Sequence, residues 1–424
     1  QKTAWVYDTL NRITSETDPL NKVTSYSYVA TSLPTSRTDA NGQTINYTYD
    51  ALQRLTQKSY PDSSSTTFTY DSRNNILTAA NSAISYSFTY DAANRIKTVT
   101  DSRGYSVSYD YDANGNRTKT TLQPGTPDQR IINYSYDDVN RLSTLTSPAG
   151  AFSFGYNLNN QRTTTSYPNQ ITASYSYDDA GRLTGITHTN PDTTIITSAG
   201  YTLDDVGNRT TKSGSTTESY SYDATYRILQ AITPKGYETY TYDSVGNRTT
   251  GPGPRDTGYN HDAANRMLQG RQYGYSYDNN GNQIAKSINE TKGWIQSWDY
   301  ENRLIKTERT KGAEKRTISF KYDPFGRRIE KKLVTTNPST TETTSYVYDN
   351  EDIVLEVSSV NGTTFYTHGP GIDEPLAMER GGQYYYYHAD GLGSSTAISD
   401  QRRTVVQRYS YSVFGQPRPT TNFR

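Results

Sequence analysis

The chain alternates aromatic and small polar residues in short runs that recur along most of its length. Typical runs are Tyr47-Thr48-Tyr49, Tyr86-Ser87-Phe88-Thr89-Tyr90 and Phe152-Ser153-Phe154-Gly155-Tyr156. Alternation with a period of two places the rings on one face of an extended strand and the hydroxyl side chains on the other. Aromatic and β-branched residues also favour strands. The pattern therefore predicts many short β-strands, each with one aromatic face.

Most of these runs end in a Tyr-Asp pair, which is followed a few residues later by Asn-Arg, Gly-Arg or Asn-X-Arg. The pairs begin at Tyr7, and the step is 20 or 21 residues as far as Tyr111, with a worn copy at Tyr28. A fixed period of this length indicates one supersecondary unit that is stacked many times. Asn, Asp and Gly tolerate the left-handed backbone of tight turns, so each unit is predicted to be a hairpin with ~7 residues per strand. The turn from Asn114 to Arg117 is expected to be one residue longer and to carry a Gly bulge.

The repeated residues are predicted to have a structural role. The Asp is expected to accept hydrogen bonds from backbone N–H groups of its own turn. The Arg is expected to lie over a Tyr ring of a neighbouring hairpin. These candidate site residues come from six copies of the repeat: Tyr7, Asp8 and Arg12; Tyr49, Asp50 and Arg54; Tyr90, Asp91 and Arg95; Tyr136, Asp137 and Arg141; Tyr177, Asp178 and Arg182; and Tyr242, Asp243 and Arg248.

Composition and charge exclude several classes of protein. The 43 basic and 43 acidic residues balance, which removes the electrostatic argument for nucleic acid or an anionic membrane as the main partner. The apolar runs are too short to span a bilayer. There is no cysteine, so disulfides and thiolate metal sites are excluded. A hydrophobic fraction of 32% is low, but 40 tyrosines favour an ordered fold.

The repeat degrades past the middle of the chain and then changes. Leu203-Asp204 and His261-Asp262 lack the Tyr, and Trp298-Asp299-Tyr300 shifts it. After about residue 350 the pattern is different, and Ile353 to Val357 and Tyr384 to Tyr387 are predicted strands. We therefore divide the chain into a hairpin repeat over residues 1–350 and a second region over residues 351–424.

Three groups of residues suggest chemistry, and for each a structural explanation is favoured. Asp110 to Gly115 matches the start of a Ca²⁺ loop, but Thr121 stands where the loop requires Glu. His388, Asp390 and Ser394 are the residue types of a nucleophilic triad, without the strand-turn-helix context that such a site needs. Glu374 and Asp373 are adjacent, so they point to opposite faces of any strand. No catalytic residue, metal or cofactor is predicted.

The repeats resemble those of the RHS/YD-repeat family, which includes bacterial rearrangement-hotspot proteins, wall-associated toxins, toxin-complex C components and teneurins. The stretches from His368 to Ala377, His388 to Ser395 and Tyr409 to Gly415 are similar to the family's core-associated region. The resemblance implies an all-β fold, in which a strip of antiparallel hairpins spirals into a hollow shell. Here that shell is expected to be incomplete, because the family's self-cleaving site and toxin domain are expected beyond Arg424.

The function implied is that of a non-enzymatic shell segment of a secreted polymorphic toxin. Its main partner is expected to be its own C-terminal cargo domain, absent from this chain, with glycans or a secretion apparatus as further partners. The protein is expected to be secreted or on the cell surface, and part of a longer chain, since the repeat is already running at Tyr7. Two alternatives stay open. The chain fits a cell-surface adhesion or carbohydrate-recognition protein, and it also fits a self-assembling extracellular fibre.

Overall fold

The structure is a computed structural model that describes residues 2–252, 258–289, 292–371 and 373–419. Within these ranges the regular elements are 39 β-strands: β1 (Ala4–Tyr7), β2 (Ile13–Thr17), β3 (Val23–Tyr28), β4 (Pro34–Thr38), β5 (Thr44–Tyr49), β6 (Leu55–Ser59), β7 (Ser65–Tyr70), β8 (Ile76–Ala80), β9 (Ser85–Tyr90), β10 (Ile96–Asp101), β11 (Ser106–Tyr111), β12 (Arg117–Leu122), β13 (Arg130–Tyr136), β14 (Leu142–Ser147), β15 (Gly150–Tyr156), β16 (Arg162–Ser166), β17 (Thr172–Tyr177), β18 (Leu183–Thr189), β19 (Ile195–Leu203), β20 (Arg209–Gly214), β21 (Glu218–Tyr222), β22 (Ile228–Thr233), β23 (Gly236–Thr239), β24 (Asn260–His261), β25 (Met267–Gly270), β26 (Tyr273–Tyr277), β27 (Gln283–Asn289), β28 (Lys292–Trp298), β29 (Leu304–Lys311), β30 (Glu314–Tyr322), β31 (Arg328–Thr336), β32 (Ser339–Asp349), β33 (Asp352–Ser358), β34 (Gly362–His368), β35 (Pro375–Arg380), β36 (Gln383–Ala389), β37 (Ser395–Asp400), β38 (Val405–Tyr411) and β39 (Pro417–Pro419).

Most strands that follow one another along the chain pair antiparallel. For example, β2 pairs with β1 and β3, and β6 pairs with β5 and β7. Strands β1 to β23 belong to one sheet and β24 to β39 to a second. The predicted all-β strip of antiparallel hairpins is confirmed. No helix of membrane-spanning length and apolarity occurs in the described ranges.

The hairpins carry their rings on one face, as the alternation predicts. In β7, Thr66 and Phe68 are buried and Tyr70 is half-buried, whereas Thr67 and Thr69 are exposed. Many strands of the first repeats have only five or six residues, fewer than predicted, because the turns at both ends take up the remaining positions. The strands predicted at Ile353 to Val357 and at Tyr384 to Tyr387 lie within β33 and β36.

The chain forms two compact units, and each combines an early and a late stretch of sequence. The first unit consists of Gln1–Ser106, Thr241–Ser345 and Ser358–Val360. The second unit consists of Val107–Tyr240, Tyr346–Val357 and Asn361–Arg424. The division at residue 350 rests on the sequence pattern and stays a prediction. Ile372 and residues 420–424, which belong to the predicted second region, lie outside the described residues.

A cluster of buried apolar residues lies in the second unit. Leu145, Phe152 and Ile171 are its largest fully buried members. Further members come from both stretches of this unit: Ile132, Leu142, Phe154, Tyr167, Ala173, Ile196, Leu376, Ala377, Tyr386 and Ala397. The inner faces of early and late strands therefore share one core, and burial of such side chains is the main favourable term in folding.

Candidate functional site

The Tyr-Asp turns close in one way throughout the repeat. In the first turn the Asp8 N–H donates to the Arg12 carbonyl (3.0 Å), and the Asn11 N–H donates to the Asp8 carbonyl (3.1 Å). Asn11 has a φ of 58°, in the left-handed region that Asn tolerates better than most residues. This is a tight turn followed by one left-handed residue, a common connection between antiparallel strands. The third residue after the Asp must therefore be Asn, Gly or another residue that accepts positive φ.

The turn that starts at Asp112 has the same length, so the predicted longer turn is wrong. The Asp112 N–H donates to the Asn116 carbonyl (2.9 Å), and the Gly115 N–H donates to the Asp112 carbonyl (3.2 Å). Gly115, with a φ of 90°, takes the position that Asn11 has in the first turn. The fourth position is Asn116, and Arg117 is the fifth. The sequence differs because Gly replaces Asn at the left-handed position, and no residue is inserted.

The Asp side chain of each turn is fully engaged within that turn. Asp8 Oδ1 accepts from the Leu10 and Arg12 N–H groups (2.8 and 3.1 Å), and Oδ2 accepts from Arg12 Nε (2.7 Å). The backbone N–H of the arginine, followed by its guanidinium, holds the pKa of these carboxylates below its usual value. The same pairs form in four further predicted turns: Asp50 with Arg54, Asp91 with Arg95, Asp137 with Arg141, and Asp178 with Arg182.

We call the arginine four residues after the Asp the turn arginine; it also contacts the next hairpin. The Arg54 guanidinium lies 4.7 Å from the centre of the Tyr70 ring, and Nη1 donates to the Asp71 carbonyl (2.7 Å). In the opposite direction, the Tyr70 hydroxyl donates to the Leu55 carbonyl (2.8 Å). Two hydrogen bonds and a cation–π contact thus join consecutive hairpins, and we call this set the hairpin staple.

Four of the other predicted tyrosines make the same hydroxyl hydrogen bond to the preceding hairpin. The hydroxyl donates to the first residue of a strand in the preceding hairpin, at 2.9 Å in each case: Tyr49 to Pro34, Tyr90 to Ile76, Tyr136 to Arg117, and Tyr177 to Arg162. Tyr7 lies on β1 and is 53% exposed. Trp298 takes the tyrosine position in its repeat, because its Nε1 donates to the Gln283 carbonyl (2.9 Å). The predicted shift of the motif at Trp298 is therefore wrong, and tryptophan replaces tyrosine there.

Arg248 occupies a different position from the other predicted arginines. The carboxylate of Asp243 accepts from Asn247, through its backbone N–H (2.8 Å) and its Nδ2 (2.9 Å). Arg248 comes one residue later, forms an isolated bridge with Tyr242, and lies 4.8 Å from the Tyr259 ring. We call an arginine at this fifth position a strand arginine. Neighbouring residues on a strand point to opposite faces, so turn and strand arginines have different partners.

Strand arginines of the second unit bind carboxylates of its late stretch. Arg117 Nη1 lies 2.6 Å from Asp349 Oδ2, and the guanidinium of Arg162 contacts both carboxylate oxygens of Glu374. Paired contacts of this kind combine charge with fixed geometry. Further ties between these stretches are Arg130 to Glu379, Lys212 to Asp390 and Arg209 to the Gly391 carbonyl. These residues were not identified from the sequence. Arg117 and Arg162 could have been recognised as strand arginines, because each follows an Asn or Gln at the fourth position of its turn.

The three residues considered as a triad do not converge. The His388 ring contacts His188 through Nδ1 (3.2 Å) and Ser399 Oγ through Nε2 (2.8 Å). Asp390 binds Lys212 Nζ (2.7 Å) and accepts from the backbone N–H of Ser394 (3.2 Å). His388 and Ser399 are fully buried, so a substrate cannot reach the contact between them.

The residues considered for Ca²⁺ are engaged with protein groups. Asp112 accepts from the Asn116 backbone N–H (2.8 Å) and side chain (2.9 Å), and Asp110 pairs with Lys119 (3.7 Å). Across the part of the chain that the structure describes, no group of three or more His, Asp or Glu side chains is arranged to hold a metal ion. Beside Asp112 lies an open polar cleft of about 430 Å³, lined by Asp112, Asn114, Asn116, Thr118, Tyr134, Ser135, Tyr136, Asp137, Asp138 and Asn140.

Comparison with known families gives two matches that together cover most of the chain. The family model described as teneurin YD-shell matches residues 202–422. The model described as RHS repeat matches residues 7–44, 30–65, 49–83, 90–124 and 156–195. The first match alone covers more than half of the chain.

Among curated proteins, the chain is similar to a "tRNA3(Ser)-specific nuclease WapA" of Bacillus spizizenii, with 32% identity over 148 residues. It is also similar to the "tRNA nuclease WapA" of Bacillus subtilis (strain 168), with 30% identity over 148 residues. In both cases the match covers 34% of this chain and 6% of the relative. The chain therefore corresponds to a small part of these relatives.

Among solved structures, the chain matches the crystal structure of TcdB2-TccC3 without its hypervariable C-terminal region, with a TM-score of 0.80 and 17% identity. That match covers 98% of this chain and 25% of the solved chain. The structure of the Photorhabdus luminescens Tc holotoxin pore matches with the same TM-score and identity, over 98% of this chain and 24% of that chain. At this identity the comparison establishes a shared fold.

Proposed function

Because the chain belongs to the RHS/YD-repeat family, we propose that it is a non-enzymatic segment of the protein shell of a secreted toxin. In this proposal the shell encloses or presents a cargo domain that the same protein carries on its C-terminal side. The hairpin staple is the observation that carries the proposal. It uses the recurring Tyr, Asp and Arg side chains to hold hairpins together, which is the requirement of a wall.

The comparisons support the proposal that the shell and the toxic activity belong to different parts of the protein. The matched relatives are named as tRNA nucleases, but the similar part is only 6% of their length. The matched TcdB2-TccC3 structure is described as lacking a hypervariable C-terminal region, and the shared fold lies outside that region. Both observations are consistent with a protein in which the repeats form a common wall and a separate domain carries the activity.

The chemistry of the described residues supports a scaffold without enzymatic activity. The carboxylates of the turns accept from backbone N–H groups and arginines, and their lowered pKa makes them poor bases at neutral pH. The buried His388 and Ser399 have no route to a substrate. We infer that the potentially reactive side chains, the carboxylates, histidines and serines, hold the hairpins together.

Protection from proteolysis tests the proposal. The longest reading frame that contains this chain is expressed, and digestion of the part following residue 424 is compared with digestion of that part expressed alone. We expect the part to be degraded far more slowly when it is attached to the shell, since a closed wall excludes the protease. Equal rates of degradation contradict the proposal. A mixture of shell and free part serves as the control for protection without enclosure.

Carbohydrate recognition is the second candidate, and the polar cleft beside Asp112 favours it. Amide and carboxylate groups of this cleft suit the hydroxyls of a sugar. However, the Tyr134 ring is covered by the Arg117 guanidinium at 5.0 Å, which leaves less aromatic surface for stacking. If the cleft binds glycans, Asn140→Ala abolishes glycan-array binding and Asn265→Ala, at the same turn position outside the cleft, does not. No binding by the unmodified protein removes this candidate.

A further inference from the structure

Two histidines that are 200 residues apart in the sequence meet in the interior of the second unit. His188 lies on β18 and His388 on β36, with relative exposures of 2% and 0%. Their rings cross at 69° with centres 4.8 Å apart, and the two Nδ1 atoms are separated by 3.2 Å. Buried histidines are usually hydrogen-bonded, and here each ring nitrogen has a partner.

The hydrogen-bond partners determine which nitrogen of each ring carries the proton. The Ala389 carbonyl can only accept, so His188 Nε2 is the donor in their 3.1 Å contact. A neutral imidazole has a single N–H, so Nδ1 of His188 accepts and Nδ1 of His388 donates. Nε2 of His388 must then accept, and it receives the hydroxyl proton of Ser399 (2.8 Å).

The chain of hydrogen bonds continues without a break beyond Ser399. Asn169 Nδ2 lies 3.2 Å from Ser399 Oγ and 3.0 Å from the Asp400 carbonyl, and it donates to both. The network therefore joins β18 and the turn at Asn169, from the early stretch of the unit, to β36 and β37 from the late stretch. Each donor has an acceptor only as long as both rings are neutral.

The surroundings disfavour a positive charge on either ring. The Tyr167 ring is 5.1 Å from His388 and 6.1 Å from His188, and supplies no negative charge. Burial lowers the pKa of His188 to about 4. Burial, followed by His188 and Arg408, lowers the pKa of His388 well below its usual value.

The charged groups on the neighbouring elements have partners of their own. Asp390, two residues from His388, is neutralised by Lys212 (2.7 Å). Arg408 donates to the Ile196 carbonyl (2.9 Å). The side chain of Asp400 accepts from the N–H groups of its turn, at Arg402 (2.9 Å) and Thr404 (2.8 Å).

An additional proton breaks this network for a geometric reason. If His188 is protonated on Nδ1, two N–H groups face each other across 3.2 Å, and the contact between the rings becomes repulsive. If His388 is protonated on Nε2, the Ser399 hydroxyl must turn away and lose its acceptor. Separation of the strands relieves both conflicts, because water can then solvate the imidazolium ions.

We propose that His188 and His388 form an acid-sensitive latch, which holds β36 and β37 against β18 at neutral pH and releases them in mild acid. This proposal concerns the second unit itself and does not depend on the presence of a cargo. In an open segment the imidazoles bind protons below about pH 6.5, whereas in the closed network they stay neutral. The latch is therefore complete above about pH 6.5 and weakens as the pH falls below that value.

Hydrogen–deuterium exchange of the whole chain tests the latch between about pH 5 and 7.5, a window above the range in which ordinary carboxylates titrate. Protection of the β36 and β37 amides, corrected for the intrinsic pH dependence of exchange, is expected to fall about tenfold per pH unit for each histidine below about pH 6.5. His188→Gln and His388→Gln are each expected to reduce the pH dependence of protection by one factor of ten per pH unit. His261→Gln, a histidine of the first unit, is the matched control and is expected to leave it unchanged. An unchanged dependence in the His188→Gln/His388→Gln protein overturns the proposal.

A second measurement uses the unmodified protein and does not depend on the folding of variants. The chain has four histidines, so the imidazole nitrogens give a simple ¹⁵N NMR spectrum. At pH 7.5 we expect His188 to be protonated on Nε2 and His388 on Nδ1, with neither ring charged before the latch opens. The opposite tautomers, or a ring charged while β36 remains protected, overturn the proposal.

Discussion

The two units share the hairpin staple, but their early and late stretches are joined by different interactions. In the first unit the joining residues are mainly polar. Asn41 Nδ2 donates to Asp278 Oδ2 (3.0 Å), and Lys58 Nζ lies 2.5 Å from Glu301. In the second unit the same role is played by a buried apolar cluster, to which both stretches contribute. The contacts between consecutive hairpins are thus the same in both units, whereas the contacts between the early and late stretches differ.

Aromatic side chains show the same difference. In the first unit Phe325, which is 44% exposed, contacts Phe68 and Tyr86 from a turn, with ring centres about 6 Å apart. In the second unit Phe152 is fully buried, and its ring is 5.6 Å from Tyr167 and 6.1 Å from Tyr386. Apolar burial contributes in proportion to the area removed from water. We therefore expect the second unit to depend more on single core residues than the first.

Removal of a core ring from each unit tests the comparison with the largest expected effect. Phe152→Ala is expected to lower the free energy of unfolding of the second unit by about 3–5 kcal/mol, because it leaves a cavity in a closed core. Phe68→Ala is expected to cost the first unit less, since the buried Phe68 ring packs against Phe325, which is itself 44% exposed. Urea unfolding followed by hydrogen exchange of each unit measures both values. An equal or larger loss for Phe68→Ala contradicts the comparison.

The ion pairs between stretches provide a test of intermediate size. Arg162→Met removes the cation that contacts both oxygens of Glu374, and an ionic group left without its partner costs about 1–3 kcal/mol. Lys58→Met is the matched change in the first unit. It is expected to cost less than about 1 kcal/mol, because Glu301 keeps a second ionic partner, Arg303, at 3.1 Å. Stability of Arg162→Met/Glu374→Gln should recover in part, and failure to recover indicates that Arg162 acts through packing alone.

Removal of the turn arginine from the hairpin staple is expected to cause the smallest loss of stability, and this loss should be equal in the two units. Arg54→Ala and Arg141→Ala each remove a cation–π contact of 4.7 Å and a hydrogen bond to the next turn. We expect each variant to lose about 1 kcal/mol, measured by the same unfolding assay. Tyr70→Phe, which removes only the hydroxyl, is the control with a smaller loss. A large difference between Arg54→Ala and Arg141→Ala indicates that the staple is not the shared element.

Local features were predictable because neighbouring residues determine them. Alternation in runs such as Tyr47-Thr48-Tyr49 placed strands and faces correctly, and the partner of Asp8 is Arg12, only four residues away. The turn at Asp112 was misread because Asn and Gly both suit the left-handed position, so that length could not be inferred from the letters alone. Arg248 was misplaced for the same reason, since the one-residue offset moves the Arg from the turn to the strand.

By itself, the sequence determined the hairpins, their aromatic faces and the residues that close each turn, because hydrogen bonds over four residues and a period of two depend on local geometry. The tertiary structure decided which distant hairpins meet. Arg162 and Glu374 are 212 residues apart, and His188 and His388 are 200 apart. Nearly identical repeats present nearly identical faces, so the local pattern does not distinguish one partner from another. Burial of a common core brings these particular residues together and gives them partners that no stretch of the repeat specifies.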